Sequence, residues 1–284
     1  MWNRRDIIRT GAAIIVTLAG WAILRLLFPS LDYFPPESLV RKLERGWFVT
    51  SGLRKATMAG YATVSLILLA VFFRAVQERW PGRGGVKGFA FGMSLGVVWS
   101  FGFLTGWAFL GTTLQAELLN SINDLIGLAV GGWLIGLAVG TDTPRSEQRM
   151  WNPWLAVLLV ALGFTSVHAL GARLLTDLVA SAPELLLVPT TLTQFALLFG
   201  LGLWAGAMFV VLRARLPFDS KFARVAFFAF GVFGHSWTWF HVFFVIEFAR
   251  IILIVLLVGL TGAVGVFAGA LAYEGFAARS RKVD

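Results

Sequence analysis

The densest group of side chains able to do chemistry in this sequence is His235, Ser236, Trp237, Thr238, Trp239 and His241, set inside a long apolar run. On a helix His235 and Trp239 share one face at i, i+4, while Trp237 and His241 share another. Such a wall could line a permeation route or hold a lipid-like ligand, the indoles stacking on apolar groups and the imidazoles offering hydrogen bonds or protons. The plainer alternative is that the imidazoles bond to neighbouring helices and the indoles fill core.

Two further polar groups stand close to apolar runs. Glu117, Asn120 and Asp124 fall at i, i+3 and i+7, on one face of a helix. A helix beginning as early as Leu114 would carry that stripe into the membrane, whereas one beginning near Asp124 would leave a hydrated first turn with Asn120 or Asn123 as cap. The capping arrangement is the expectation, since acids suit a helix N-terminus. Glu247 and Arg250, opposite in sign at i, i+3, are expected to form a mutual salt bridge near the interface.

Depth suggests one more pairing. His168 lies 15 residues beyond Pro153 and His241 lies 16 beyond Val225. At the helical rise each imidazole would stand roughly 23 Å up its helix, which permits a bis-histidine haem between the two. No haem attachment motif accompanies them, and no cofactor is expected. Zinc-type His-Glu-x-x-His, a Gly-x-Ser-x-Gly elbow, a P-loop and aspartate-rich phosphate motifs are all missing, so no catalytic residue is nominated.

What must position these residues is set by composition. Of 284 residues 58% are hydrophobic and 14% charged, with mean hydropathy +0.79. That is more apolar surface than one core can hide from water, so the surplus must face lipid. Laying a ~20-residue ruler on the sequence gives eight spans, near 8–28, 56–76, 88–110, 119–140, 153–172, 190–212, 225–246 and 251–273. The fold class is therefore all-α, a polytopic transmembrane bundle. The nine prolines fall between these runs or at their edges, where a missing N–H is tolerated. The start at Met1–Arg9 has the outline of a secretory signal, but no small-residue cleavage pattern precedes Arg25, so the segment is read as a retained first span. Residues 36–48 place Leu39, Val40, Leu43 and Trp47 at helical spacing, which suits a helix lying in the interface. Cysteine is absent, which removes disulfides and thiolate metal sites.

The net charge of +9 would suggest nucleic acid for a soluble chain. Here the cations fall in short connections, where they set orientation and meet anionic lipid head groups, and no nucleic-acid partner is expected. Eight spans put 16 Lys and Arg on the side of the N-terminus and 8 on the other. Both termini are thus expected in the cytoplasm, in the plasma membrane.

Short matches recur in order along the chain. Arg25-Leu26-Leu27 then Pro36-Glu37 returns as Arg173-Leu174-Leu175 then Pro183-Glu184. Arg74-Ala75 then Phe89-Ala90-Phe91-Gly92 returns as Arg213-Ala214 then Phe228-Ala229-Phe230-Gly231, at an offset of 139. These matches divide the chain into two four-helix membrane repeats, 1–141 and 151–276, parallel because each holds an even number of spans. Glycines four apart (Gly127 with Gly131, Gly132 with Gly136 and Gly140, Gly202 with Gly206, Gly265 with Gly269) suit close helix packing within one subunit.

Three functions fit this pattern. One is a small permease or channel with a route between the repeats, lined by the 235–241 wall with Glu117, Asn120, Asp124, Glu247 and Arg250. The second is an accessory or scaffold subunit with a membrane-protein partner or a second copy of itself. The third is an intramembrane enzyme or haem-bearing electron carrier.

Overall fold

The computed structural model describes residues 2–27, 43–143, 150–179 and 183–280. Its helices are α1 (Arg4–Leu27), α2 (Trp47–Thr50), α3 (Arg54–Gln77), α4 (Gly84–Leu110), α5 (Leu114–Val139), α6 (Pro153–Leu175), α7 (Leu192–Leu212), α8 (Lys221–Ala226), α9 (Gly234–Glu247) and α10 (Ile252–Ser280). A π-helical stretch, Phe227–Phe233, joins α8 to α9. Among the described residues there are no strands, only two isolated bridges. With α8 and α9 counted as one span, eight helices among the described residues are long and apolar enough to cross a membrane. The chain is a multi-pass integral membrane protein, an all-α bundle in contact with the lipid bilayer.

Each end has a local cause. Asn152 accepts from Leu155 N at 3.1 Å, and Pro153 opens α6 where its missing N–H is not needed. Thr191 and Gln194 form a capping box at the start of α7. Gly111 closes α4 at φ 71°, a left-handed turn that favours glycine.

Neighbouring spans run antiparallel, and glycine decides how closely. In the tightest crossing, a Cβ added to Gly84 would fall 2.7 Å from the carbonyl oxygen of Gly136, and those added to Gly88 and Gly92 would meet the backbone of α5 as closely. Gly84, Gly88, Gly92 and Gly96 recur every four residues along this face, so α4 lies backbone to backbone on α5. Gly163 of α6 meets Gly265 of α10 in the same way, at 2.6 Å from its carbonyl oxygen. Trp21 and Thr17 of α1 cover Gly127 and Gly131 of α5, and Phe164 of α6 packs on Gly262 and Gly265 of α10. Gly127 and Gly131 thus face α1, as Gly265 and Gly269 face α6. Gly132 and Gly136 face α4 instead.

The first four and last four spans meet along a seam made by α3 against α9, α4 against α7 and α4 against α9. Most of the interfacial helix expected at 36–48 lies outside the described residues. The part that is described holds the single turn α2, preceded by a bridge from Arg45 to Phe248.

Candidate functional site

The seam carries one group of polar and aromatic side chains. At the end far from the N-terminus Arg54 donates to Glu247 at 2.6 Å, with Arg45 at 3.7 Å, and Gly46 N reaches Glu247 O at 2.8 Å. On the other flank of the same end Gln194 Nε2 donates to Ala108 O at 2.9 Å. In the middle Tyr61 stacks on Trp239 with ring centroids 5.3 Å apart, and Phe240 meets Trp99 and Phe103 edge-on. Nearer the N-terminal face Phe72 stacks on His235 at 4.3 Å. At that face Arg79 donates to Leu216 O at 3.0 Å, and Arg215 lies over the Trp80 ring.

Between the aromatic middle and the Phe72–His235 stack is a cavity of about 10 Å³, enough for one water. Ser65, Trp99, His235, Ser236 and Trp239 line it, with Leu95 and Leu128. Trp239 Nε1 donates to Ser65 Oγ at 2.8 Å, and Ser65 in turn donates to Tyr61 O at 2.8 Å. His235 Nδ1 lies 2.8 Å from Gly231 O. Ser236 Oγ is buried and has no hydrogen-bond partner.

His235 and Trp239 thus reach the seam together, as their shared face requires. Trp237 and His241 turn the other way, into the core of the last four spans. There Trp237 Nε1 donates to Val258 O at 3.3 Å, and His241 Nδ1 lies 2.8 Å from Trp237 O. His168 faces the same core, 3.2 Å from Thr261 Oγ1 and stacked on Phe164. Neither His168 nor His241 has a partner for Nε2. The space beside His241 is about 10 Å³, room for a water and far short of a porphyrin, so His168 and His241 do not form a haem slot. Among the described residues no three His, Asp or Glu side chains gather to hold a metal.

The acids are placed differently from expectation in two respects. α5 begins at Leu114 with Thr113 as cap, so Glu117, Asn120 and Asp124 sit inside the helix rather than in a hydrated cap near Asp124. Partners on other segments make this tolerable. Asp124 forms an ion pair with Arg25 and accepts from Trp21 Nε1 at 3.2 Å, and Asn120 Oδ1 accepts from Arg25 at 2.8 Å. Glu117 accepts from Thr112 Oγ1 at 2.5 Å. This stripe faces α1 and the α4–α5 turn, not the seam. Glu247 is the second correction, because its partners are Arg54 and Arg45 rather than Arg250. The chain turns between α9 and α10 with Arg250 at φ 59°, which carries that side chain away to an exposed position.

No family model, curated protein or solved structure matches the chain. Function therefore rests on the geometry of the site.

Four participants were not nominated from sequence: Arg25, Arg54, Ser65 and Lys87. Arg25 and Arg54 stand at helix ends, where they pass for membrane-boundary cations, and only the fold supplies the distant acids. Ser65 is a small hydroxyl in an apolar run, a type that ordinarily bonds back to its own helix. Lys87 stands just before the span expected at 88–110 and also passes for a boundary cation, whereas α4 begins at Gly84 and takes it inside the helix. It is buried and donates to Gln77 O at 2.8 Å, Thr141 O at 2.5 Å and Thr143 Oγ1 at 3.1 Å, stapling the ends of three helices.

Proposed function

We propose that this protein is a small permease whose route follows the seam, with the chain held in a closed state by ties at both ends. The observation that carries this is the cavity bearing His235, Ser65 and Ser236, midway between the Arg54–Glu247 tie and the Arg79–Leu216 tie. A polar pocket at mid-membrane is expensive and is kept where a solute passes or binds. Breaking one set of ties while the other holds would open the pocket to one side at a time.

Two parallel repeats, related by an axis along the membrane normal, would build such a seam. Support comes from contacts that recur across it. Tyr61 meets Trp239, while Gly200, 139 residues after Tyr61, meets Phe101, 138 before Trp239. Arg54 ties to Glu247, and Gln194 ties to Ala108, at separations of 140 and 139. Arg74 donates to Val139 O at the end of α5, and Arg213 binds Glu274 near the end of α10. The excess of cations on the N-terminal side supports both termini in the cytoplasm, in a plasma membrane with anionic lipid heads.

The test uses the absence of native cysteine. Ser236→Cys should react with a small water-soluble methanethiosulfonate in reconstituted protein, more slowly than Ser51→Cys at an exposed position. A thiol at position 236 that stays inert over hours, while the one at position 51 reacts, would overturn the route. The smallness of the cavity favours the second reading, an accessory subunit packed against a membrane-protein partner or another copy, and inertness would point there.

A further inference from the structure

The span that brings His235 to the seam is wound in two ways. Through Phe227–Phe233 it is π-helical, and Gly234 N bonds Ala229 O, five residues back, where an α-helix bonds four back. The local sequence does not impose this winding. Phe228-Ala229-Phe230-Gly231 repeats Phe89-Ala90-Phe91-Gly92, and the earlier copy is regular α-helix inside α4. Three residues further on the copies differ, because Leu95 of α4 stands where the later stretch has Gly234. A Cβ built on Gly234 would run into Ala229 O, the carbonyl that its own N–H bonds across the wide turn. That clash belongs to the wide turn, since a Cβ at Gly20 or Gly60, in regular helix, meets nothing within 4 Å. Glycine at 234 therefore permits the π form, and the copy in α4 shows that the preceding residues accept the α form as well. The wide turn also leaves a group unpaired. Ser65, Ser94 and Ser100 each donate to the carbonyl four residues back, at 2.8, 2.7 and 3.0 Å. The carbonyl four before Ser236 is Val232 O, which faces His235 Nδ1 at 3.2 Å, and the buried Ser236 hydroxyl has no partner.

Resting on the permease reading, we infer that Phe227–Phe233 is the gate of the seam, closed as a π-helix and opened by rewinding to α-helix. Bonds that close one residue later put about one residue more into the turn, so rewinding advances every side chain of α9 by about 100°, one residue's step. The start of the span stays in place, because Ser220 caps α8 and Arg224 donates to Asp219 O at 2.9 Å. Gly234 and Thr238 then take the seam positions of His235 and Trp239. An imidazole and an indole leave the passage beside Ser65, and a hydrogen and a small hydroxyl replace them. On the opposite side of α9, Trp237 and Thr238 now cover Gly262 and Gly259 of α10. After the step Ser236 and Trp237 fall on those two glycines. The same motion swings Glu247, at the end of α9, away from Arg54, so rewinding and release of that tie are one event.

Spin-label distances in lipid vesicles read the turn of α9 apart from any transport. Nitroxides are attached at Val64→Cys on α3 and Phe243→Cys on α9, and Gly234→Ala is added to disfavour the π form. The distance should shift by several ångströms, within the chord of about 8 Å that 100° sweeps on a helix about 11 Å across. A control pair at Val64→Cys and Leu260→Cys, on α10, should keep its distance. In the Gly234→Ala background a small water-soluble methanethiosulfonate should reach Ser65→Cys about tenfold faster, since alanine both favours α-helix and shifts the two-state population. The added methyl would also lie 3.0 Å from Ala263 Cβ. Gly234→Ala with Ala263→Gly keeps only the clash with Ala229 O, and serves if the single variant does not fold. An unmoved distance in both variants overturns the gate, and a reactive Ser236→Cys alongside it leaves the route standing. A distance that moves while the thiol at position 65 stays inert means that the stretch rewinds without opening a passage, which overturns the gate and the permease reading together.

Discussion

Phe240 lies with its ring directly over Gly102, so that a Cβ built on Gly102 would fall 2.6 Å from Cδ1 and 2.7 Å from Cζ of that ring. The two residues are 138 apart, one short of the offset between the recurring sequence matches, and they meet where α4 crosses α9. A contact between near-equivalent positions is what an axis between repeats would produce. Gly102→Ala should therefore destabilise the seam, by about 1–3 kcal/mol as overpacking does. Thermal unfolding in detergent reads the effect. Phe240→Leu in the same chain should recover part of it, and equal loss in single and double variants would mean the two residues do not share a site.

The α4–α5 crossing gives a graded comparison within one protein. Alanine at Gly88 or Gly132 drives a methyl into the facing backbone, which cannot turn aside as a side chain can. Alanine at Gly20 or Gly60 meets nothing within 4 Å. The first pair should lower the unfolding temperature by several degrees. The second pair should leave it unchanged or raise it, because alanine favours helix by about 1 kcal/mol over glycine. Similar effects in all four would show that the crossing is not held by close approach.

The eight spans were legible because hydrocarbon thickness imposes one length on every crossing, and each expected span has its helix. The ends were less so. α5 starts five residues earlier than expected, and α10 continues past 273 to Ser280. In both places the helix includes polar sequence beyond the apolar run. Asp124 was expected in a hydrated first turn capped by Asn120 or Asn123, because its partner Arg25 is 99 residues away. Glu247 looked paired to Arg250 because helical spacing was assumed to hold through residue 250, whereas the chain leaves the helix at Phe248. The opposed faces of His235 and His241 followed from periodicity alone. That Ser65 completes the seam cavity did not, since nothing local ties residue 65 to residue 239.

Arg213 and Glu274 form a buried two-pronged pair between the end of α7 and α10, with side chains 13% and 2% exposed and the guanidinium over the ring of Tyr273. Removing one partner strands a charge away from water. Glu274→Ala should cost about 3–5 kcal/mol, and replacing both partners together by Met and Leu should cost less than either single change. Arg213→Lys should not restore the pair, since an ammonium cannot make the fork. Chemical unfolding in detergent measures each of these variants against the wild-type chain, and additive losses would show that the two groups act independently.

Orientation can be tested on the same cysteine-free background. Ser51 is exposed just before α3, and Ser220 caps α8 at the opposite end of the bundle. With both termini in the cytoplasm, an impermeant maleimide applied to intact cells should label Ser51→Cys and spare Ser220→Cys. Permeabilisation should then expose the second. The reverse pattern would invert the protein in its membrane while keeping the bundle intact. It would also mean that the described cations Arg45, Arg54 and Lys55 outweigh the larger basic total of the N-terminal side, because local charge near a span governs insertion more than the sum over the chain.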